Sequence, residues 1–322
     1  REAVGLLDIS AFSRFEVTGP GARDWLDRIL ASKLPAPGRM RLAPMLGHDG
    51  RLKGDLTVFC WDEGRYWITG SYYLRAWHMR WFQDHMAEGV TIRDISDEVV
   101  GFSLSGPRSR DVLQKVVERE LGDLPFMGCA PMDVGLARAH VGRISVSGEL
   151  GYEIHVPAMH HVALRRTLIR AGAGEGLREY GFNALLSLRL EKSFGIWSAE
   201  FTQAYMPAEI GMDRWIDWSK DFVGREAAHG HNPSRRLVTL EVEADGADAS
   251  GYEPIWQDGE RVGFVTSGGF GHTVDASLAM GLVAADLSAV GTELRTHIVG
   301  VERAARIIAP SPHDPAGTRM RA

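Results

Sequence analysis

The chain has 322 residues, of which 44% are hydrophobic and 24% are charged, close to the averages of soluble globular proteins. This length allows two or three domains, and no apolar run is long enough to span a membrane. Lys and Arg together number 36 against 42 Asp and Glu, and the net charge of -6 argues against a nucleic-acid or anionic-membrane surface. We therefore expect a folded, soluble protein with no nucleic-acid and no membrane partner.

The two cysteines, Cys60 and Cys129, lie far apart in the sequence at a spacing that fits no metal site. So few cysteines are typical of a reducing compartment, and we predict packed thiols in a cytoplasmic protein. The sequence opens at Arg1 without an initiator Met or an apolar signal segment, and its first residues resemble the interior of a domain. We interpret it as a chain whose start is missing.

Strand and helix patterns alternate in the first part of the chain. The stretch FSRFEVTGP alternates apolar residues before a Gly-Pro turn and predicts a strand, and ARDWLDRILAS predicts an amphipathic helix. Next, LTVFCW and RYWITGS predict paired strands around a turn at residues 62–64. The same order returns in VVGFSLSGP, a strand, and SRDVLQKVVEREL, a helix. These two strand–Gly-Pro–helix units suggest a pseudo-repeated α+β core, although duplicated turn chemistry alone would look the same.

The predicted secondary structure of the chain changes after residue 228. Before that point, ARAHVGRISVSGELGYEIHV is strand-like throughout, and HHVALRRTLIRAGAG and NALLSLRLEKSF predict helices. The polar stretch HGHNPSRR reads as a linker, and strands dominate from Leu237 onward. We predict an α+β region of two subdomains over residues 1–228 and a C-terminal β-barrel or sandwich over residues 234–322.

Histidines and glycines give no strong site on their own. His155, His160 and His161 do not share a face and lack a completing Cys or carboxylate, so solvated histidines at a helix start are the favoured interpretation. The glycines of SGGFG, residues 267–271, lack the strand-to-helix setting of a dinucleotide site and suggest a hairpin or loop turn. The chain has no Gly-x-Ser-x-Gly elbow and no phosphate loop, so neither a serine hydrolase nor a nucleotide hydrolase is indicated.

Five charged residues stand in apolar strands or helices: Asp55, Glu149, Glu153, Arg189 and Glu191. A charge in such a place costs several kcal/mol unless it is paired or binds a ligand. Each is therefore either half of a structural ion pair or a ligand contact, and for each taken singly the ion pair is favoured. Two helical residues that are two positions apart point to different faces, so Arg189 and Glu191 need partners elsewhere.

Nine motifs in sequence order carry a family resemblance. The chain resembles the aminomethyltransferase (glycine-cleavage T-protein) family, and most closely the C-terminal tetrahydrofolate domain of dimethylglycine and sarcosine dehydrogenases. Any one motif alone is weak, but GELGYE, SLRLEK and DFVGREA in this order are specific. The motifs run across almost the entire chain: GLLDIS, FEVTGPGARDWLDRI, GRLKGDLTV, SLSGPRSRDVLQ, RISVSGELGYEIHVP, GFNALLSLRLEKSFGIW, DFVGREAA, VGFVTSGG and ARIIAPSPHDPAGTRMR.

The resemblance implies an α+β, three-domain, cloverleaf-like folate-binding fold with a small C-terminal β-barrel. It implies that Asp55 is the catalytic acid beside the N5 and N10 region of tetrahydrofolate. It also implies that Glu153 binds the amino-pyrimidine edge of the pterin, and that Arg189, Val146 and Thr69 belong to the cofactor-binding set. The family usually has an aromatic residue at the position of Val146, which is a departure of this chain.

The function implied by the resemblance is tetrahydrofolate-dependent transfer of a one-carbon unit, aminomethyl or methylene. The chain would be part or partner of a flavin-dependent dehydrogenase that demethylates a small methylated amine, with FAD on an absent domain or partner. The residue types suit this chemistry, because a carboxylate such as Asp55 can stabilise developing positive charge and relay a proton. An ionised Glu153 can accept two N–H bonds from a pterin edge. Two alternatives stay open: a folate-dependent demethylase of another methylated small molecule, and a non-catalytic subunit with this fold.

The glycines that flank Asp55 add to the prediction of a ligand site at this acid. Gly50 and Gly54 suggest room for a ligand to approach the backbone beside this acid.

Overall fold

The computed structural model describes all residues, 1–322, and divides them among two open sheets, a closed barrel and the helices that cover the sheets. The strands are β1 (Val4–Asp8), β2 (Phe12–Thr18), β3 (Arg39–Leu46), β4 (Leu52–Asp62), β5 (Arg65–Ser71), β6 (Thr91–Asp94), β7 (Val99–Ser105), β8 (Cys129–Val134), β9 (Ala137–Gly142), β10 (Gly151–Pro157), β11 (Leu177–Glu179), β12 (Arg235–Val242), β13 (Pro254–Gln257), β14 (Glu260–Gly271), β15 (Ala276–Ala284), β16 (Glu293–Ile298) and β17 (Val301–Ile308). The α-helices are α1 (Ala22–Ile29), α2 (Arg75–Asp84), α3 (Ser109–Gln114), α4 (His161–Gly172), α5 (Phe182–Leu190), α6 (Arg225–Ala228) and α7 (Thr318–Arg321).

The first sheet has five strands in the order β3-β4-β5-β2-β6. Alternation along β4 explains its two faces, because Leu56, Val58 and Cys60 point into a core that α1 and α2 cover. The intervening residues Asp55 and Thr57 are half-buried and point to the opposite face. This opposite face is the one that meets the second sheet.

The second sheet has six strands in the order β11-β1-β7-β10-β9-β8, with β1 parallel to β11 and its other pairings antiparallel. On β10, Tyr152 and Ile154 enter a core shared with residues of α3 and α4. Glu153 and His155 alternate with them and point away from the helices.

The two sheets meet through the faces that the helices leave uncovered. Phe59 and Trp67 of the first sheet share an apolar cluster with Cys129 of the second. The ring of His155 lies 5.7 Å from Phe59 and 6.2 Å from Trp67, measured between centroids. Asp55 and Glu153 therefore belong to faces that look toward each other across this contact.

The two Gly-Pro turns predicted as a repeat have matching geometry. Gly19 follows β2 with φ +116° and Gly106 follows β7 with φ +132°. A Cβ on Gly19 would lie 2.2 Å from the carbonyl oxygen of Gly89, and a Cβ on Gly106 would lie 2.3 Å from that of Ala3. Both turns therefore require glycine. Each turn leads into a helix that covers its own sheet, α1 or α3. Thus the two sheets share one strand–turn–helix device.

The barrel is closed, with the strand order β12-β15-β14-β13-β16-β17. Alternating apolar residues such as Val238, Leu240 and Val242 fill its interior. It contacts the rest of the chain through α5, where the Ser187 hydroxyl donates to the Phe270 carbonyl at 2.7 Å. Beyond β17 the chain returns to the second sheet, since His313 contacts Glu149.

Several sequence predictions need correction in detail. Helix α3 ends at Gln114, so most of VVEREL is irregular, and residues 143–150 interrupt the segment expected to be strand throughout. Residues 267–271 lie inside β14 and not in a turn, with a bulge between Val265 and Ser267. The strands β1, β3, β6, β8, β11 and β13 were not predicted. None of the α-helices combines the length and the apolar character needed to cross a membrane.

Candidate functional site

Two of the five embedded charges, Glu149 and Glu191, are structural. Glu149 accepts hydrogen bonds from Arg1 at 3.0 Å and Arg319 at 2.7 Å, and contacts His313 at 2.9 Å. Burial alone would raise the pKa of Glu149, but these bonds outweigh it and hold that pKa below its usual value. Glu191 likewise binds Arg1, at 2.7 Å, and accepts backbone N–H bonds. The ion-pair interpretation is therefore correct for both acids.

Arg189 and Glu191 do not pair with each other, as their spacing predicts. Arg189 is 3% exposed and its Nη1 lies 2.8 Å from Oε2 of the fully buried Glu200. Its Nη2 donates to the hydroxyl of Ser267 on β14 at 2.7 Å, while its Nε has no partner. Arg189 also lines a cavity of about 530 Å³ between α5 and β14, and neither Asp55 nor Glu153 is among the residues that line this cavity. Arg189 thus forms a structural ion pair with Glu200, and its side chain also forms part of the cavity wall.

Asp55 has no such partner. Its Oδ1 is buried without a hydrogen bond, and no cation lies within ion-pair distance of the carboxylate. Although part of the residue stays accessible, the surrounding protein removes most of the hydration, and this desolvation raises the pKa of Asp55 to about 7. The side chain can therefore hold or release a proton at neutral pH.

Thr69 lies on the same face of the sheet as Asp55. It is the register partner of Thr57 on β4 and of Arg14 on β2, and Thr57 is two residues from Asp55. Side chains paired in this way stand about 5 Å apart. Hence a row of polar groups runs from β4 across the first sheet to Arg14.

Arg14 carries this row to the second sheet. It is completely buried, and its Nε donates to Nδ1 of His155 at 3.3 Å. Glu153 follows on the same face of β10, with Oε2 3.5 Å from Nε2 of His155 but without hydrogen-bond geometry. Glu153 receives no hydrogen bond from the protein, and its side chain is 16% exposed. Thr69 and Glu153 therefore lie on the two sheet faces that the Arg14–His155 contact joins, and no hydrogen bond links either residue to that pair.

Val146 lies in the irregular segment that precedes β10. It is half-buried and packs against an apolar cluster of Leu7, Ile9 and Leu185. Leu7 is the register partner of Ser103, and Ser103 is in turn the register partner of Glu153. Val146 thus belongs to the Glu153 side of the second sheet.

The glycines beside Asp55 serve protein packing. A Cβ on Gly54 would lie 2.9 Å from Nε2 of His78, and a Cβ on Gly50 would lie 2.8 Å from the backbone nitrogen of Ala228. Their small size is therefore explained by the helix α2 and by the segment around α6. The prediction that they leave room for a ligand was wrong, because protein atoms fill the space where a side chain on either glycine would lie.

The structure corrects the interpretation of His155 and confirms that of the cysteines. His155 is 1% exposed and lies within a strand, so it is not a solvated residue at a helix start. His161 does start α4, where it contacts Asp8 at 2.8 Å. Cys60 and Cys129 are buried free thiols, as predicted, and the Cys129 sulfur lies 3.7 Å from the Cys60 carbonyl oxygen. No group of three or more His, Cys, Asp or Glu residues is placed to hold a metal ion.

Sequence reasoning missed Arg14 and His155 as site residues. Arg14 stands between Ser13 and Phe15 in a strand-forming run, which is the same embedded-charge signal that identified Asp55. His155 alternates with Glu153 at the spacing of one strand face. Both signals were present, but the side-chain contact between β2 and β10, which belong to different sheets, is not visible in the sequence.

Comparisons with known proteins agree with this architecture. The family model described as the GCVT N-terminal domain matches residues 1–220, and the model of the glycine cleavage T-protein C-terminal barrel domain matches residues 235–314. Dimethylglycine dehydrogenase of Rattus norvegicus is 32% identical over 317 residues, covering 95% of this chain and 37% of that protein. The aminomethyltransferase of Symbiobacterium thermophilum is 32% identical over 334 residues, covering 97% of this chain and 88% of that protein.

A solved structure shows the same fold. The glycine cleavage system aminomethyltransferase T from Bartonella henselae superposes with a TM-score of 0.90 at 24% identity, covering 98% of this chain and 88% of that chain. This similarity confirms the α+β fold with its C-terminal barrel. The chain spans about a third of the length of the dimethylglycine dehydrogenases that it matches. With both family models matched in order over most of its length, the chain belongs to the aminomethyltransferase, or glycine-cleavage T-protein, family.

Proposed function

We propose that this protein transfers a one-carbon unit, as an aminomethyl or methylene group, to tetrahydrofolate. One observation carries the proposal. Among the four carboxylates singled out in the sequence, Glu149 and Glu191 are saturated by protein donors, whereas Asp55 and Glu153 receive no hydrogen bond from another residue. Such acids are costly unless a ligand completes them, and both lie on the facing surfaces of the two sheets.

The two acids fit a folate. Tetrahydrofolate, when bound, supplies the pterin-ring and arylamine nitrogens that accept the one-carbon unit, and its pterin edge carries adjacent N–H donors. Glu153 would accept those N–H bonds and so orient the ring, because an ionised carboxylate accepts two parallel donors. Thr69, half-buried between Thr57 and Arg14, would line the same space.

Asp55 would handle the proton and the charge. With a pKa of about 7, its carboxyl is divided between the acid and the carboxylate at neutral pH. The carboxylate can take the proton that leaves a nitrogen when a carbon–nitrogen bond forms there, and its charge offsets the positive charge that develops. A pKa near the working pH is the one that serves general acid–base catalysis best.

We further propose that the one-carbon donor is a small methylated amine, demethylated by a flavin-dependent domain or partner that carries the FAD. Supporting this is the 32% identity to the dimethylglycine dehydrogenase of Rattus norvegicus over nearly the whole chain. The aminomethyltransferase of Symbiobacterium thermophilum is also 32% identical to this chain, so sequence identity does not distinguish between the two possible one-carbon donors. We place the protein in the cytoplasm, without nucleic-acid or membrane partners, on its cysteine content and net charge.

Binding of tetrahydrofolate tests the core of the proposal. Calorimetry on the wild type, Asp55→Asn and Asp62→Asn compares an acid at the candidate site with an exposed acid at the end of the same strand. We expect binding in all three, and one-carbon transfer reduced at least 100-fold in Asp55→Asn only. A wild type that does not bind tetrahydrofolate, or an Asp55→Asn variant with full transfer activity, would contradict it.

The donor needs a separate experiment. A dimethylglycine-oxidising flavoprotein is mixed with this chain and tetrahydrofolate, and the released carbon is divided between methylene-folate and free formaldehyde. We expect this chain to raise the folate-trapped share above that of folate alone, and Asp55→Asn to remove the gain. An unchanged share in the presence of bound folate would refute the partnership while leaving folate binding intact.

A further inference from the structure

Arg14 is a buried cation without a carboxylate beside it. Its side chain is completely buried, and its terminal nitrogens donate to the backbone carbonyls of Ile9, at 2.7 Å, Phe12, at 2.9 Å, and Ser10, at 3.3 Å. Burial lowers the pKa of Arg14 to about 10, and the charge of Glu153 acts in the opposite direction. The guanidinium therefore stays charged at neutral pH, and three main-chain oxygens fix its position.

The remaining contact of Arg14 determines the proton position on His155. An arginine nitrogen can only donate, so Nδ1 of His155 must be the acceptor in the 3.3 Å contact from Nε. Burial lowers the pKa of His155, so its ring is neutral and carries one proton. That proton must lie on Nε2, the atom 3.5 Å from Glu153 Oε2, which has no other partner.

No protein donor forms a hydrogen bond with this carboxylate in the structure. The register neighbours of Glu153 are Ser103 on β7 and Gly142 on β9. The Ser103 hydroxyl is engaged with that of Ser105 at 3.1 Å, and glycine has no side chain. The Nε2–H of His155 therefore faces Glu153 at 3.5 Å, although the two groups form no hydrogen bond in this structure.

We infer that His155 is a positioning residue for Glu153: Arg14 fixes its tautomer, and its Nε2–H, 3.5 Å from Oε2, orients the carboxylate through one lone pair of that oxygen while both oxygens remain able to accept the ligand N–H groups. This inference rests on the proposed function, because it names how that same site is held in place.

The tautomer can be measured without any ligand. Long-range nitrogen–proton NMR spectra of protein labelled with nitrogen-15 histidine distinguish the two neutral forms, and a His155→Asn sample identifies the His155 signals. We expect the Nε2–H form near pH 7. A ring protonated on Nδ1, or a doubly protonated ring, overturns the inference.

Two substitutions separate the halves of the contact. His155→Gln keeps an N–H donor near the Nε2 position, whereas His155→Asn keeps only a group near Nδ1 that can face Arg14. We expect tetrahydrofolate to bind His155→Gln within about threefold of the wild type and His155→Asn about tenfold more weakly, which corresponds to about 1.4 kcal/mol. Since His155 does not touch the reacting atoms, kcat at saturating folate should be nearly unchanged in both.

A double-mutant cycle links the effect to Glu153. If His155 acts through Glu153, then His155→Asn adds little to the loss caused by Glu153→Gln, because the two changes remove one interaction. Fully additive losses, or wild-type affinity in His155→Asn while Glu153→Gln binds weakly, overturn the inference and leave the proposed function standing. Absence of folate binding in the wild type instead refutes the proposed function, and the NMR result still decides the tautomer.

Discussion

The Nη1 of Arg189 lies 2.8 Å from Oε2 of Glu200, and both side chains are almost wholly shielded from water. Glu200 also accepts hydrogen bonds from Thr266 and Ser267 on β14 and from the backbone of Ile196. This pair joins α5 to the barrel. Arg189, which the family resemblance assigns to the folate pocket, is thus held by a protein carboxylate. We expect its replacement to lower the free energy of unfolding.

Replacing Glu200 by Gln should destabilise the fold by about 3 kcal/mol, because it leaves the buried Arg189 guanidinium without its counter-charge. Urea unfolding of the wild type and the variant measures the difference. Glu179→Gln is the matched control, since Glu179 pairs with Arg165 on the surface, where water screens the pair, and this variant should lose much less stability. Equal losses in the two variants would show that burial of the Arg189 pair contributes nothing.

Replacing Asp55 by Asn should stabilise the protein in alkaline solution while it removes transfer activity. The pKa of Asp55 rises from about 3.8 in the unfolded chain to about 7 in the folded one, so folding favours the protonated form. Ionisation therefore costs stability as the pH rises from about 4 to about 7, and the cost is constant above that range.

Thermal unfolding at pH 8, pH 5 and pH 4 checks this sign. After a discount for the partial exposure of the residue, the gain in Asp55→Asn should be roughly 2 kcal/mol at pH 8, smaller at pH 5 and absent near pH 4. Asp62→Asn should show no such trend because Asp62 is exposed. A variant that is less stable than the wild type at pH 8 would mean that Asp55 has a favourable partner in the fold.

How much could be predicted from the sequence depended on whether a signal was local. The helix α1 and the hairpin of β4 and β5 follow from apolar spacing and turn residues, which act within a dozen positions. The closed barrel was anticipated from a run of short strands, but β13, four residues long, gave too little pattern to be found. Element order was therefore predictable to a large extent.

Contacts between distant segments were not predictable in this way. Asp55, Glu149 and Glu191 look alike in the sequence, since each is an acid in an apolar setting. Only the fold shows that Arg1 is close enough to satisfy two of them and that no cation reaches the third. The same holds for Arg14 and His155, which are 141 positions apart and meet because two sheets face each other.

Replacing Val146 by Tyr should tighten the binding of tetrahydrofolate several-fold. Val146 is half-buried over an apolar cluster on the Glu153 side of the second sheet, so a larger ring there can extend toward the ligand space. Aromatic rings add contact area at a small entropic cost. Calorimetry on Val146→Tyr and Val146→Leu separates ring contact from added volume, and an unchanged affinity in Val146→Tyr would mean that this position does not line the pocket.

The buried His78 should make the protein sensitive to acid. Its Nε2 contacts the Lys53 carbonyl oxygen at 3.1 Å, and its Nδ1 has no partner. Burial lowers the pKa of His78 to about 4, although the bond to the Lys53 carbonyl acts in the opposite direction. Since the unfolded chain binds this proton more readily, the stability that neutral His78 provides is complete above about pH 6.5 and is lost as the pH falls toward 4.

A comparison with His78→Gln isolates this contribution, because glutamine keeps an N–H near the Nε2 position but does not titrate. Between pH 7 and pH 5 the wild type should lose roughly 1 to 2 kcal/mol more unfolding free energy than His78→Gln, measured by urea titration at each pH. His231→Gln is the control, since His231 is exposed and should leave the wild-type pH dependence unchanged. If His78→Gln loses as much stability as the wild type, the acid sensitivity comes from other groups, such as His140, whose pKa burial also lowers to about 4.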